Sequence, residues 1–218
     1  MKRQIIIVAG GSGSRMNASI PKQFIELKGK AILLHTLERF AKSFDIKDII
    51  LVLPESENDR WVALYSGTPF EQLRVAKGGK TRFHSVKSGL KLVDKNAIVG
   101  IHDSVRPFVS DKTIENCFKT AEEKCSAIPV VELKDSIRRV FIGTSRAQDR
   151  SNFRLVQTPQ CFIASKLIAA YKKPYRDSYT DDSSVFEAAG NKVFLVEGNP
   201  ENIKLTTPED LKVAEVFC

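Results

Sequence analysis

The chain alternates between unbroken apolar runs and segments whose apolar residues recur every three or four positions. Ile5-Ile6-Ile7-Val8-Ala9, Ile49-Ile50-Leu51-Val52-Leu53 and Ala97-Ile98-Val99-Gly100-Ile101 are continuous, the pattern of strands covered on both faces. Leu73-Arg74-Val75-Ala76 and Ala127 to Val131 add two more strand candidates. Between them, Ile32, Leu33, Thr36, Leu37 and Phe40 recur at helical spacing, as do Ile114, Cys117, Phe118 and Ala121. Trp61, Leu64 and Tyr65 predict a short helix, and Val86, Leu90 and Val93 one face of another. Strands alternating with helices imply crossover units. The pattern therefore predicts an α/β fold, a Rossmann-like, mostly parallel sheet of about seven strands flanked by helices.

The rhythm breaks at Lys134. From Asp135 to Phe153 there is no helical stripe, but Ile137, Val140, Phe141 and Ile142 lie near Gly143-Thr144-Ser145, which predicts a two-strand ribbon with its turn at the tip. An isolated hairpin is marginal in water, so the ribbon is expected to pack on something, a second subunit being the natural candidate. No Pro/Gly/Ser linker, repeat or low-complexity tract interrupts the chain. The expectation is a single domain over residues 1–218, with 134–153 as an inserted, protruding dimerisation arm that builds a homodimer. Thr207-Pro208-Glu209-Asp210 carries helix-start signals, an N-cap hydroxyl, a first-turn proline and two acids suited to the dipole. Thr180 reads either as an N-cap or as a ligand-facing hydroxyl. Asp181 and Asp182 read as first-turn acids.

Composition narrows the field. The 218 residues, 42% of them hydrophobic, suit a sheet with helices on both faces, and no run reaches the roughly 18 apolar residues of a membrane span. The first residues pass straight into a strand with no cleavable leader pattern. Cys117, Cys125, Cys161 and Cys218 show neither Cys-x-x-Cys nor metal-ligand spacing, which suits free thiols and a cytoplasmic location. The formal charge is +8. Its cations alternate with acids along the whole chain, without aromatic RNA-binding motif, zinc knuckle or basic tail, so no nucleic-acid partner is expected. Anionic small-molecule substrates account for the sign.

The chemistry concentrates after the first strand. Gly10-Gly11-Ser12-Gly13-Ser14-Arg15-Met16, with Pro21-Lys22-Gln23 behind it, offers bare backbone N–H groups and two permanent cations to a polyanion. The segment lacks the Lys-Ser/Thr pair of a P-loop and the third glycine of the dinucleotide fingerprint. Strand, bare donors and cations together describe a nucleoside-triphosphate site. The opening resembles that of sugar-nucleotide pyrophosphorylases and cytidylyltransferases.

Further motifs sharpen the likeness: Gly78-Gly79-Lys80-Thr81-Arg82, His102-Asp103-Ser104-Val105-Arg106-Pro107, Gln157-Thr158-Pro159-Gln160, Thr180-Asp181-Asp182 and Glu197-Gly198-Asn199-Pro200-Glu201-Asn202-Ile203-Lys204. In this order, from about Ile5 to Ala214, they resemble the 2-C-methyl-D-erythritol 4-phosphate cytidylyltransferases of the non-mevalonate isoprenoid pathway. The resemblance implies CTP and 2-C-methyl-D-erythritol 4-phosphate as substrates, with Mg²⁺ carried by Asp103. It implies Arg15, Lys22, Arg150 and Lys204 as catalytic residues. Ala9, Gly10, Gly11, Gly13, Gly79, Ser85 and Asp103 would bind the nucleotide, Gly79 and Ser85 reading the cytosine. Arg106, Ser136, Arg150, Thr180 and Lys204 would bind the acceptor, Arg150 reaching it from the partner subunit. Lys80 stands where relatives often carry an acid, and Ser136 where they often carry Thr. Three alternatives stay open for single residues: Asp103 paired only with Arg106, Arg106 as a loop organiser, and Arg82 as a helix-surface cation. His102 reads as structural. A ribitol 5-phosphate cytidylyltransferase would share the opening and the CTP loops, and a nucleotide- or RNA-binding module could keep the glycine loop without turnover.

Overall fold

A computed structural model describes residues 1–10 and 20–218. Among the described residues the strands are β1 Arg3–Val8, β2 Glu26–Leu27, β3 Lys30–Ala31, β4 Ile49–Leu53, β5 Arg74–Lys77, β6 Ile98–Asp103, β7 Ser126–Glu132, β8 Ile137–Phe141, β9 Thr144–Gln148, β10 Arg154–Val156, β11 Gln160–Ile163 and β12 Leu195–Glu197. The helices are α1 Ile32–Ala41, α2 Asn58–Tyr65, α3 Arg82–Gly89, α4 Asp111–Lys124, α5 Ala164–Ala170, α6 Asp182–Ala188 and α7 Pro208–Ala214. The main sheet runs β10-β7-β11-β6-β1-β4-β5, with β12 on β7. β1 lies parallel to both β4 and β6, β4 parallel to β5, and β7 parallel to β12. β11 enters antiparallel to β6 and β7, and β10 antiparallel to β7. Apolar runs alone did not single out β11, since only Cys161, Phe162 and Ile163 of its four residues are apolar.

The strict period of a strand explains the two layers. Ile5 and Ile7 face one cluster with Leu33, Leu37, Phe40, Ile114 and Phe118 from α1 and α4. Ile6 and Val8 face the other, with Phe83, Val86, Leu167, Val185 and Phe186 from α3, α5 and α6. Ile5, Ile6 and Ile7 are all fully buried, each side chain contributing about 1.5–3 kcal/mol through burial. Gly100 opens β6 where its neighbours crowd in. A Cβ there would stand 2.7 Å from Ile5 Cδ1 and 3.0 Å from Phe118 Cζ.

Chain order creates the site's position. From β1 the chain builds outward through β4 to β5, then crosses back to lay β6 on the opposite side of β1. The strand order thus reverses between β1 and β6, and crevices at such reversals, beyond the carboxyl ends of strands, are where α/β sheets bind ligands. Val8 is the register partner of Asp103, so the ends of both strands open into the same crevice.

The ribbon forms as expected. Among the described residues β8 pairs only with β9, in a separate two-stranded sheet, and Gly143 turns its tip at φ +73°. Val140 is 78% exposed and Ile142 entirely so. One expectation is corrected: the N-cap of α6 is Asp181, not Thr180. Asp181 accepts the Ser184 N–H at 2.9 Å, and Ser184 completes a reciprocal capping box; a carboxylate complements the helix dipole where a hydroxyl cannot. At α7 the expected cap stands, Thr207 accepting from the Asp210 N–H with Pro208 in the first turn. No described helix is long and apolar enough to cross a membrane.

Candidate active site

Asp103, the last residue of β6, is 8% exposed and touches three cations. Lys204 Nζ lies 3.0 Å from Oδ2, Arg106 Nε 3.4 Å from the same oxygen, and Arg82 Nε 3.3 Å from Oδ1. Burial by itself would raise the Asp103 pKa; Arg82, Lys204 and Arg106 outweigh it and hold the carboxyl well below the usual carboxylate range. The acid is therefore ionised at neutral pH. Asp103 thus pairs with Arg106, as one reading of the sequence had it, and with two further cations.

Each cation arrives by its own route. Lys22 opens a short 3-10 turn, Lys22–Phe24, whose Gln23 donates from Nε2 to the Ala9 carbonyl at 2.9 Å. That bond pins the Pro21-Lys22-Gln23 turn to the end of β1. Arg106 donates to the Asn202 carbonyl at 2.7 Å, so it organises the loop as well as facing Asp103. Lys204 follows a segment stitched down by side-chain amides. Gln157 Nε2 donates to the Asn199 carbonyl at 2.9 Å, Asn202 Nδ2 to the Thr158 carbonyl at 2.8 Å, and the Leu205 N–H to the Val105 carbonyl at 2.9 Å. The amides of these motifs are scaffolding for the lysine. Arg82, the first residue of α3, is held at its far end by Asp182, whose Oδ2 accepts from Nη2 at 2.7 Å. Burial opposes its charge, but Asp182 and Asp103 prevail and the guanidinium pKa is raised.

Among the described residues, Val8, Gly10, Lys22, Arg82, Asp103, Ser104, Val105 and Lys204 line a cavity of about 120 Å³. Among the described residues Arg82, Arg106 and Lys204 pair with Asp103 and Asp182, three positive side chains against two negative, and Lys22 lines the same cavity. The surplus is suited to a polyphosphate, because fixed cations in a water-poor cleft act on it with little screening.

The loop and first turn that open α3 meet Gly10 of the cavity through Ser85. Ser85 is buried; its Oγ accepts from the Gly79 N–H at 3.1 Å and donates to the Thr81 carbonyl at 3.1 Å. With its proton committed and one lone pair taken by Gly79, the oxygen has a single lone pair left with which to accept. A Cβ on Gly10 would sit 2.9 Å from that oxygen, and one on Gly79 would collide with His84 Cβ, so both positions require glycine.

His102 is structural, as its sequence context suggests. The Asp103 N–H donates to Thr158 Oγ at 3.2 Å, Thr158 Oγ lies 3.0 Å from His102 Nδ1, and His102 Nε2 lies 3.0 Å from the Arg106 carbonyl. This relay, which locks the Asp103–Arg106 turn, assigns the proton to Nε2. Desolvation is the main reason that the His102 pKa falls from 6.5 to about 4.

The structure brings Gly10, Lys22, Arg106, Asp103 and Lys204 together, with Gly79 and Ser85 on the adjoining loop and Ala9 behind Gly10. Ser136 and Thr180 are exposed and do not line this cavity. Arg150 is exposed too, donates to the Lys134 carbonyl, and lines a separate groove of about 1120 Å³ with Glu132, Leu133, Asp135, Leu155 and Glu197 among others. Gly11, Gly13 and Arg15 lie outside the described residues. Arg82 is no helix-surface cation, and Asp182 is a fully buried ion partner as well as a first-turn acid. Their pairing joins residues 100 positions apart, which no local pattern signals.

A mostly parallel sheet with a cationic cleft at its strand reversal, edged by Gly10, suits a nucleotidyltransferase. The family model described as IspD, 2-C-methyl-D-erythritol 4-phosphate cytidylyltransferase, matches residues 4–218, and the chain belongs to that family. Relatives of that name from Phocaeicola vulgatus and Bacteroides thetaiotaomicron are each 48% identical over 218 residues, covering 100% of both chains. The crystal structure of the Thermus thermophilus enzyme of the same name superposes with a TM-score of 0.82 at 30% identity, covering 100% of this chain and 98% of that one.

The buried relay yields a pH prediction. His102 has a depressed folded pKa, so between about pH 6.5 and 4 the unfolded state binds the extra proton and stability falls as pH falls. Denaturant titrations across this window should show wild type losing roughly 3 kcal/mol more than His102→Gln, from 1.36 kcal/mol per unit. Parallel pH profiles of the two proteins would refute the assignment.

Proposed function

We infer that the site performs the reaction for which its family is named: the 4-phosphate of 2-C-methyl-D-erythritol 4-phosphate attacks the α-phosphorus of CTP. The products are the CDP-alcohol, a building block of isoprenoid precursors, and pyrophosphate. The observation that carries this reading is the Asp103 cluster, a cationic surplus fixed at the strand reversal. The acceptor phosphate has a second pKa of about 6 and is largely dianionic at neutral pH, so no general base is required. What the protein must do is align two polyanions and offset their repulsion. Lys22 at the mouth of the cavity is assigned to the α-phosphate and Lys204 to the reacting centre, with Arg15 on the leaving-group side. Preorganised cations of this kind are worth several kcal/mol in the transition state.

Base choice follows from the committed Ser85 proton. An oxygen offering only a lone pair accepts from the cytosine 4-amino group and repels the uracil 4-oxygen, and a buried mismatch of this kind is expensive.

A magnesium ion belongs to the proposal. Among the described residues no group of three or more His, Cys, Asp or Glu could hold a metal. Mg²⁺, however, is commonly held by one or two carboxylates together with phosphate oxygens and waters. Asp103 fits: it is ionised and lines the cavity, and among the contacts of the described residues its Oδ1 takes a long one from Arg82. Bound there, the ion would neutralise phosphate charge and orient the triphosphate.

The active unit is proposed to be a homodimer. The tip residues Val140, Phe141 and Ile142 are exposed apolar groups on a hairpin that, among the described residues, pairs with no other strand. Crossing to a second copy would cover them and carry Ser136 and Arg150 to the neighbour's acceptor site, with Thr180 supplied in cis. The four cysteines are free thiols, consistent with a cytoplasmic setting.

Pyrophosphate release from CTP, measured separately with 2-C-methyl-D-erythritol 4-phosphate and with ribitol 5-phosphate, tests the reading. Turnover is expected with the first acceptor only. Turnover with ribitol 5-phosphate alone would reassign the acceptor, and none with either would leave a binding module.

Subunit sharing has its own test. Lys22→Ala and Arg150→Ala chains, each inactive, are mixed and subunit exchange is confirmed by mass. In the heterodimer one site collects both defects and the other neither, so activity should return to about half that of wild type per dimer. No recovery after confirmed exchange would place Arg150 in its own chain's site.

A further inference from the structure

Arg82 occupies a position that its own helix disfavours. It is the first residue of α3, at the end where the dipole is positive and cations are destabilising. Two carboxylates from distant parts of the chain keep it there. Asp103 meets its Nε at 3.3 Å, and Asp182 meets its Nη2 at 2.7 Å. Asp182 has no solvent exposure, and its second oxygen accepts from the Tyr171 hydroxyl at 2.6 Å. A buried ion pair is a poor source of stability, since apolar residues of similar volume often serve as well. Its retention calls for a geometric reason.

The surroundings supply one, because the Asp182 end of the strut is held by the sheet and by neighbouring helices. Gln160, the first residue of β11 and the register partner of Ile101, donates to Asp181 Oδ2 at 2.7 Å and accepts the Ser183 N–H at 2.9 Å. These bonds grip the start of α6 on both sides of Asp182. Tyr171 stacks on Phe83, the residue after Arg82, with ring centres 4.6 Å apart and planes 22° apart. Arg82 therefore spans from an anchored, dry carboxylate to the wall of the reactive cavity, with its direction set at both ends.

We propose that Asp182 and Tyr171 are positioning residues for cytidylyl transfer, acting through Arg82, whose guanidinium they aim at the phosphate cavity beside Asp103. The proposal rests on reading that cavity as the CTP site. Neither residue touches substrate. Their role is to keep one cation in register with charge that develops on the triphosphate, where a displacement of about 1 Å can cost up to a hundredfold in rate.

A double-mutant cycle on the full-length protein tests it, with pyrophosphate release from CTP and 2-C-methyl-D-erythritol 4-phosphate as the readout and Tm recorded for every variant. Asp182→Asn and Tyr171→Phe should each lower kcat, the first about tenfold or more and the second severalfold, with KM for CTP changed less than kcat. In an Arg82→Gln background, the same two changes should alter kcat by less than about twofold, because their target is gone. Equal fold losses in both backgrounds, or wild-type kcat in Asp182→Asn and Tyr171→Phe, would overturn the proposal. A purely structural role would lower Tm equally in both backgrounds without this non-additivity in kcat. Should Asp182→Asn fail to fold, Tyr171→Phe, which keeps the ring stack, completes the cycle alone. Absence of turnover in the wild-type protein would overturn the underlying site reading and is distinguishable from additive losses in an active one.

Discussion

The structure turns on one electrostatic constraint: a carboxylate at the end of a strand buried on both faces. Asp103 cannot stay ionised there unless cations surround it, and Arg82, Arg106 and Lys204 do so within 3.4 Å. Once that ring exists, its cations cannot be neutralised by one acid. The remainder is balanced by Asp182 on one side and left for a ligand on the other. On the proposed reading, recognition of a polyphosphate is a consequence of how the protein solves a burial problem at the strand reversal.

The same constraint explains why so many scattered motifs serve one small region. Gln157, Asn199 and Asn202 bind one another and the backbone so that Lys204 reaches Asp103. His102 and Thr158 fix the turn that carries Arg106. Gln23 ties Lys22 to the end of β1. Polar networks of this kind are costly if half satisfied, and here most members have partners. The side chains proposed to act on substrate are few, and the rest of the conspicuous polar sequence is their frame.

Much of this was legible in the residues. β1, β4 and β6 announce themselves because a strand buried on both faces must be apolar throughout, and α1 and α4 because a helix packed on a sheet shows one stripe. The ribbon was legible from the loss of both patterns around Gly143. β11 was not, since a four-residue strand opening with Gln160 carries too short a pattern. The cap of α6 went to Asp181 and not Thr180 because adjacent residues can both cap, and only geometry chooses. In the site, Lys22, Asp103 and Lys204 stood out by their place in motifs that resemble a known family, and Ser85 through the same resemblance. Asp182 stood in such a motif but read as a first-turn acid, and Tyr171 stood in none. Their significance lies in the bond of Asp182 to Arg82, 100 positions away, and of Tyr171 to Asp182, and a first-turn acid or a buried tyrosine is ordinary until those contacts are seen.

The central claim is that the Asp103 charge organises the site for turnover. Asp103→Asn keeps the shape and removes the charge, so pyrophosphate release from CTP by this variant, beside its calorimetric affinity for CTP without divalent ions, tests the claim directly. The account predicts a fall in kcat of at least about a hundredfold, the scale of losing a preorganised electrostatic element. It also predicts metal-free CTP affinity no weaker than that of wild type, because a negative charge facing a polyanion has gone. Turnover within a few-fold of wild type would contradict it.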